Sequence, residues 1–543
     1  VNRAAGIARL ESETFDVLVV GGGATGLGTA VDAAARGYRT ALIESEDFAK
    51  ATSSRSTKLV HGGVRYLQQG DIGLVREALR ERTNLLRNAP HLVHELRFVV
   101  PAYRWFELAY YGAGLAAYDL LAGRSGFARS RIVGPRRARG LIPALRPDGL
   151  RGAIVYSDAQ FDDARLAVTL ARTAVDRGAA LGNYVRATGF VYDVASGSHG
   201  AAGTARRIAG VEALDRETNR TFTIRARAVI NATGIFVDEV RSLDDRAAKP
   251  LLTHSRGSHI VVRASALGAD GAALLVPRTP DGRVLFALPW HEHVVIGTTD
   301  IAASRAELDP LPTRAEIAYL LETVNRYLTE PLAENDVLAA FAGLRPLVDR
   351  KATTSAKQPR EHTVDVSPSG LVTIAGGKWT TYRKMAEDAV DAAAARAGLP
   401  QRPSPTAVMP LHGAPHAGAR RAHEGSLTVY GTDAAAVAAL RAHDPGLRER
   451  LHPSLSYTGA EVVYAARHEM ARTVDDVLSR RTRAAFLDTA AARASAPAVA
   501  ALLARALGRD EAWQAAQVCA FGALLERFPA PAQPGEVRRT ATP

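Results

Sequence analysis

Residues 21–28 read Gly-Gly-Gly-Ala-Thr-Gly-Leu-Gly and follow an unbroken apolar run at 15–20. Between a strand and a helix, each of three glycines has a task. Gly21 permits the tight turn, Gly23 lets the backbone approach a pyrophosphate, and Gly26 lets the helix pack close on the strand. The free N–H groups and positive end of that helix hold phosphate charge. Glu44 ends the next apolar run, where a carboxylate accepts both ribose hydroxyls and repels a 2′-phosphate. A glycine-rich turn in an unrelated α/β protein is the competing reading; the strand before, the helix after and the acid beyond weigh against it. Two later segments favour FAD over a nicotinamide cofactor. Ala232-Thr233-Gly234 closes a strand at 227–231, placed to pass beneath the adenosine half. An apolar strand at 371–375 runs into Gly376-Gly377-Lys378-Trp379-Thr380-Thr381 and a helix to about residue 395. A helix N-terminus there suits the edge of an isoalloxazine that turns negative on reduction.

These residues need a parallel sheet beneath them. Residues 15–44 have the strand–helix–strand pattern of a right-handed crossover. Residues 1–14 read as a frayed leader. A helix is predicted over 71–88, with Ile72, Val75 and Leu79 inward and Pro90 as its stop. Another spans 162–177, with Asp162 and Asp163 as its cap rather than a metal pair. Strands follow at 179–194 and 206–231, joined by a Gly/Ser-rich turn at 196–205, with short buried strands at 260–262 and 294–296. His291 and His293 share a strand face without a third ligand, so no metal is expected. A Pro/His/Gly-rich linker covers 399–425. Beyond it Thr458-Gly459-Ala460-Glu461 forms a capping box, and Val463, Ala466, Met470, Val474 and Val477 keep helical spacing.

Composition narrows the function. With 543 residues, 47% hydrophobic and 23% charged, the chain holds several globular units rather than long disorder. The lone Cys519 rules out a disulfide and reads as a small core hydrophobe. A net charge of +12 points to anionic partners. Basic residues are not interleaved with aromatics, so nucleic acid is not expected. No apolar run is long enough to span a bilayer; the nearest, 105–121, is interrupted by Glu107 and Asp119. That stretch is either a cap-domain helix or an edge lying in a headgroup layer.

Several strings together resemble the FAD-dependent glycerol-3-phosphate dehydrogenase family. The most specific runs Ser53-Ser54-Arg55-Ser56-Thr57-Lys58-Leu59-Val60-His61-Gly62-Gly63-Val64-Arg65-Tyr66-Leu67. Others are Tyr156-Ser157-Asp158, Gly257-Ser258-His259-Ile260-Val261, Ile296-Gly297-Thr298-Thr299-Asp300, Gly343-Leu344-Arg345-Pro346-Leu347 and the 376–384 turn. The resemblance implies an α/β fold: a Rossmann-like, glycine-oxidase-like FAD domain, a substrate-capping β-sheet and a helical C-terminal domain. The FAD domain is expected at 15–97, 151–255 and 340–398, the cap at 98–150 and 256–339, the helical domain at 426–535 and a tail at 536–543. It also implies sn-glycerol 3-phosphate as substrate and quinone as acceptor, in a cytoplasmic enzyme peripheral to the inner face of the cell membrane. A homodimer is expected.

A phosphate monoester needs a guanidinium fork. Arg65 and Arg345 are the candidates, with Tyr66 adding a hydroxyl; Arg345 sits in an apolar stretch where an idle charge is costly. His259 is the candidate base for the C2 hydroxyl, with His61 its rival, and Lys378 stands beside the flavin. FAD is expected to touch Gly21, Gly23, Gly26, Glu44, Ser53, Ser54, Lys58, His61, Gly62, Gly63, Ala232, Gly234, Gly377, Lys378 and Thr380. Each arginine and histidine also has a plain ion-pair or hydrogen-bonding reading. Still open are an FAD oxidase of the same fold, using oxygen or an amine or amino-acid substrate, and a non-catalytic flavin-binding sensor.

Overall fold

The computed structural model describes residues 2–63, 71–123, 127–194, 206–268, 271–279, 282–348, 362–415 and 425–527. The apolar run after the N-terminus forms strand Thr14–Val20, the centre of an eight-stranded sheet. It pairs in parallel with Arg220–Asn231 on one side and Thr40–Glu44 on the other. Leu371–Gly376 and Ala180–Asn183 extend the sheet in parallel, and His362–Val366 closes one edge antiparallel. Val17, Leu18 and Val19 are fully buried, as a strand covered on both faces demands. Helix Ala24–Ala35 packs against Tyr382–Ala397 and Asp163–Asp176. Gly28 allows the first contact: a Cβ there would meet the Tyr382 ring at 2.7 Å. Gly21, Glu44, Ala232 and Gly376 all follow or end parallel strands at their carboxyl ends, where such sheets bind ligands.

A second sheet of ten strands caps the first. Its path runs Ile301–Ala303, Leu252–Arg263, His293–Gly297, Leu285–Trp290, Ala272–Val276, Val93–Ala102, Gly152–Phe161 and Leu59–Val60. Ala339–Val348 pairs with Leu252–Arg263, setting Arg345 opposite Ser255 and Phe341 opposite His259. The expected domain limits shift here. Gly152–Phe161, Ala339–Val348 and all of Val93–Ala102 pair in the cap sheet, although most of their residues were assigned to the FAD unit. Alternation along a strand reports its two faces, not its partner.

The C-terminal unit is helical, built on Gly459–His468, Thr489–Leu507 and Glu511–Glu526. The Thr458 capping box is present. The helical spacing through Met470 breaks, however, because the helix stops at His468 and Met470 turns to φ 53°. Among the described residues Thr489–Leu507 is long and apolar enough to cross a membrane; here Ala492, Val499 and Leu503 pack in the C-terminal core. Cys519 is exposed, not core, since Glu511–Glu526 buries only Phe521 and Leu525.

Three further expectations change. The leader is a helix, Arg3–Ser12, with Ile7 and Leu10 buried and Arg3 ion-paired to Asp215 at 2.7 Å. Ile72 lies 47% exposed, and Leu74, Val75, Ala78 and Leu79 make the inner face of Ile72–Asn88. Part of the linker is core, with Leu399, Met409 and Leu411 buried. The expected tail lies outside the described residues.

Candidate active site

The strand ends form a cradle that fits a dinucleotide. Gly21 has φ 113°, and a Cβ on it would meet the Ala232 carbonyl oxygen at 2.6 Å. A Cβ on Gly26 would lie 1.8 Å from the Gly21 carbonyl oxygen. No residue with a side chain fits either place. Ser53 Oγ accepts from Ala24 N at 2.9 Å, which seats the Ser-rich loop on the helix N-terminus. Glu44 accepts from the backbone N–H of Gly22 at 2.6 Å and of Glu46 at 2.8 Å. Burial holds its carboxyl above the usual range despite those donors. Gly234, at φ 60°, borders open space.

The second turn is tied to the first. Trp379 Nε1 donates to the Ser53 carbonyl at 2.9 Å, a link absent from the sequence reading. Gly377 has φ 75°, and a Cβ there would press on Met385 Sδ at 2.3 Å. Gly377, Lys378 and Thr380 line a cavity of about 600 Å³ that also takes in His61, His259 and Arg345.

His259 is 2% exposed, and its ring stacks on Phe341 with centroids 4.8 Å apart. Its Nε2 lies 2.9 Å from Thr57 Oγ1. Gly297 leaves room for it, since a Cβ there would meet the imidazole at 2.2 Å. Burial, then the charges of Arg345 and Lys58, push its pKa well below the ordinary value, so the ring is neutral. Arg345 donates to Thr298 Oγ1 and the Thr299 carbonyl, each at 3.1 Å, and reaches Asp300 at 3.3 Å. Arg283 flanks the other Asp300 oxygen at 3.3 Å.

Some expected cofactor contacts are used elsewhere. Lys58 is fully buried against Asp163 at 2.8 Å, donates to the Ser54 carbonyl at 2.7 Å, and lies over Trp290 and Phe341. Burial lowers the lysine's pKa, and the Asp163 carboxylate offsets part of that. Ser54 is buried beside it, its carbonyl taken by Lys58. Gly62 N donates to the Tyr118 hydroxyl at 3.0 Å, and Gly63 follows with φ 78°. Arg65 and Tyr66 lie outside the described residues. Asp162 caps its helix and also binds Arg483 at 2.8 Å and His291 at 3.0 Å, which accounts for that histidine without a metal.

Residues 16–383 match the family described as FAD dependent oxidoreductase, and residues 371–514 match the C-terminal domain of alpha-glycerophosphate oxidase. The mitochondrial glycerol-3-phosphate dehydrogenase of Mus musculus is 42% identical over 526 residues, 92% of this chain and 71% of the relative. The chain belongs to the FAD-dependent glycerol-3-phosphate dehydrogenase family. A mitochondrial glycerol-3-phosphate dehydrogenase of Arabidopsis thaliana is 39% identical, covering 96% of this chain and 87% of the relative. The solved glycerol-3-phosphate dehydrogenase from Bacillus halodurans, complexed with FAD, superposes with a TM-score of 0.78 at 29% identity, covering 98% of each chain.

In this member of the glycerol-3-phosphate dehydrogenase family, the sequence reading missed Thr57, Arg283 and Asp300 as parts of the cavity wall. Thr57 and Asp300 sit in strings that carried the resemblance. Arg283 follows a glycine turn with nothing in the sequence to mark it.

Proposed function

We propose that the protein oxidises sn-glycerol 3-phosphate to dihydroxyacetone phosphate with FAD as its oxidant. The carrying observation is one cavity wall that holds a guanidinium, Arg345, a neutral imidazole, His259, and the 377–380 turn together. Bound FAD supplies the two-electron acceptor for the C2 hydrogen. Arg345, backed by Arg283, holds the phosphate dianion by charge and paired donors. His259 takes the hydroxyl proton, with Thr57 Oγ1 fixing its ring through Nε2. Lys378 adds a cation at the flavin end, and Phe341 keeps water from the back of the imidazole. Anaerobic titration with glycerol 3-phosphate is expected to bleach the flavin stoichiometrically. A flavin that stays oxidised would rule the activity out.

The base carries a pH signature. A depressed pKa leaves imidazole in its basic form above that value, and activity falls only as pH drops through it. The acid limb of flavin reduction is therefore expected below pH 6.5, the ordinary imidazole value. Rapid-mixing measurements from about pH 5 to about pH 8 check this. A limb at or above 6.5 excludes His259 as base.

Electrons are proposed to pass to a quinone, from a protein resting on the inner face of the cell membrane. Helix Trp105–Ala122 supports this reading. Trp105, Phe106, Tyr110 and Leu120 are 69%, 62%, 59% and 83% exposed, and Ile132 beside them 61%. Arg151 lies over the Trp105 ring, Arg131 sits on the strand with Ile132, and Arg129, Arg136, Arg137 and Arg139, all exposed, flank that strand in sequence. Apolar side chains rimmed by cations fit a headgroup layer. Sedimentation with anionic liposomes at low salt is expected for the native protein and lost in Phe106→Glu/Leu120→Glu. Equal binding by both would remove the helix from that role.

A further inference from the structure

Past the 377–380 turn that faces the flavin and the polar end with His259 and Arg345, the cavity continues into an apolar wing that neither FAD's flavin edge at that turn nor a three-carbon phosphate at Arg345 accounts for. Its floor crosses the cap sheet. The polar end lies on Leu252–Arg263 and Ala339–Val348, with His259 and Arg345. Four strand steps away, by the path through His293–Gly297, Leu285–Trp290 and Ala272–Val276, lies Val93–Ala102. At the usual strand spacing that is roughly 19 Å. Along this path the wall changes character, from charged groups to Leu275, Phe286, Phe98 and Val100. Gly257 and His259, Phe98 and Val100, and Tyr156 and Asp158 line it in pairs two apart, and strand register sets His259 beside Gly297, Gly297 beside Phe286 and Phe286 beside Leu275, so one face of these strands forms the floor. Asp158, the acid in this wing among the described residues, is neutralised by Arg82 at 2.8 Å and bonded by the Tyr118 hydroxyl at 2.9 Å.

The roof of the wing is helix Trp105–Ala122, through Tyr111 and Leu115. Its mouth is edged by Ala113, Gly114 and Ala117, which both line the cavity and are exposed. A Cβ at Gly114 would meet nothing within 4 Å. Tyr110, itself exposed, continues the lip, and the exposed Leu120 lies one helical turn beyond Ala117. A passage with cations at one end, an apolar wall along its length and an apolar mouth matches a ligand that is a phosphate at one end and hydrocarbon at the other.

We propose that this wing is a second subsite, which binds the tail of a lipophilic phosphate monoester of the 1-acyl- or 1-alkyl-glycerol phosphate class. The phosphate sits at Arg345, so the proposal rests on the reading of that residue given above. The wing itself adds affinity by burying methylenes. Such a ligand competes with glycerol 3-phosphate and reaches the cavity from the side of the exposed helix face.

The test uses the full-length, FAD-loaded protein, with octyl phosphate, inorganic phosphate and octanol as probes in calorimetry and in competition with glycerol 3-phosphate. Octyl phosphate is expected to bind at least about tenfold more tightly than inorganic phosphate, and octanol weakly. Gly114→Leu, which favours the helix at a position where a Cβ meets nothing within 4 Å, is expected to erase that advantage while the KM for glycerol 3-phosphate stays within about twofold. Gly114→Trp repeats the test with a larger plug. Equal binding of the two phosphates overturns the proposal. So does octanol binding as tightly as octyl phosphate and competing only with the electron acceptor, which would give the wing to a lipophilic acceptor instead. If Arg345→Ala leaves inorganic phosphate binding unchanged, the fault lies in the phosphate reading and not in the wing.

Discussion

Arg345→Ala is expected to raise the KM for glycerol 3-phosphate about a hundredfold, a loss of roughly 2–3 kcal/mol, with FAD still bound. The guanidinium is held as a fork by Thr298, the Thr299 carbonyl, Asp300 and Ser255. Its place is set by strand pairing with Ser255 and by Gly257, where a Cβ would meet Nη2 at 2.3 Å. Removing it does more than delete two donors. Asp300 loses the guanidinium at 3.3 Å while Arg283 stays beside its other oxygen, and the less neutralised carboxylate then repels the incoming dianion. Arg345→Lys restores the charge but not the planar pair, so it should recover only part of the affinity. Steady-state kinetics with a flavin-content check suffices. An unchanged KM in the alanine variant refutes the phosphate role.

The second large effect is on stability. Asp47 is fully buried and receives Arg481 at 2.7 and 2.8 Å and Arg480 through Nε. Burial raises its pKa, but the two guanidiniums outweigh that and hold it below the ordinary value. Asp47→Asn removes the carboxylate the two arginines share, leaving Arg480 to Asp475 and Asp476 and Arg481 to the more distant Glu469 at 3.9 Å, and is expected to cost about 3 kcal/mol. Urea unfolding of the FAD-saturated protein measures it, and a shift below about 1 kcal/mol contradicts the account. The sign with pH follows. A carboxylate with a lowered folded pKa stabilises above its unfolded value, and this is lost as pH falls below 3.8 through the folded one. The native protein should lose more stability in acid than the asparagine variant.

The nucleotide half was legible because its duties are local. Gly26 answers to Gly21 and Glu44 to Gly22, neighbours fixed by one turn and one strand end, and spacing alone exposes that; the Ala232 carbonyl that crowds Gly21 comes from far along the chain and was not legible. The cap half depends on pairing between distant segments. That Phe341 would back His259, or that Gly152–Phe161 would leave the first sheet, follows from register and twist that no window of sequence contains. Lys58 shows the same limit in a single residue. A lysine in a Ser-rich loop looks like a phosphate ligand until Asp163, more than a hundred positions away, is seen beneath it. Ile72 and Cys519 misled for a simpler reason: hydrophobicity permits burial without requiring it.

The two sheets are threaded through one another, and this dictates when the protein can be made whole. The first sheet starts at Thr14 and is not finished until Leu371–Gly376 settles beside Arg220–Asn231, while the cap strands are spun out between them. A nascent chain still short of that strand has the glycine cradle but neither the flavin-side turn nor the wall behind it. Neither half carries both the glycine cradle and the flavin-side turn, and cofactor capture is expected only once Leu371–Gly376 and the turn after it have left the ribosome, with the helical unit still to follow.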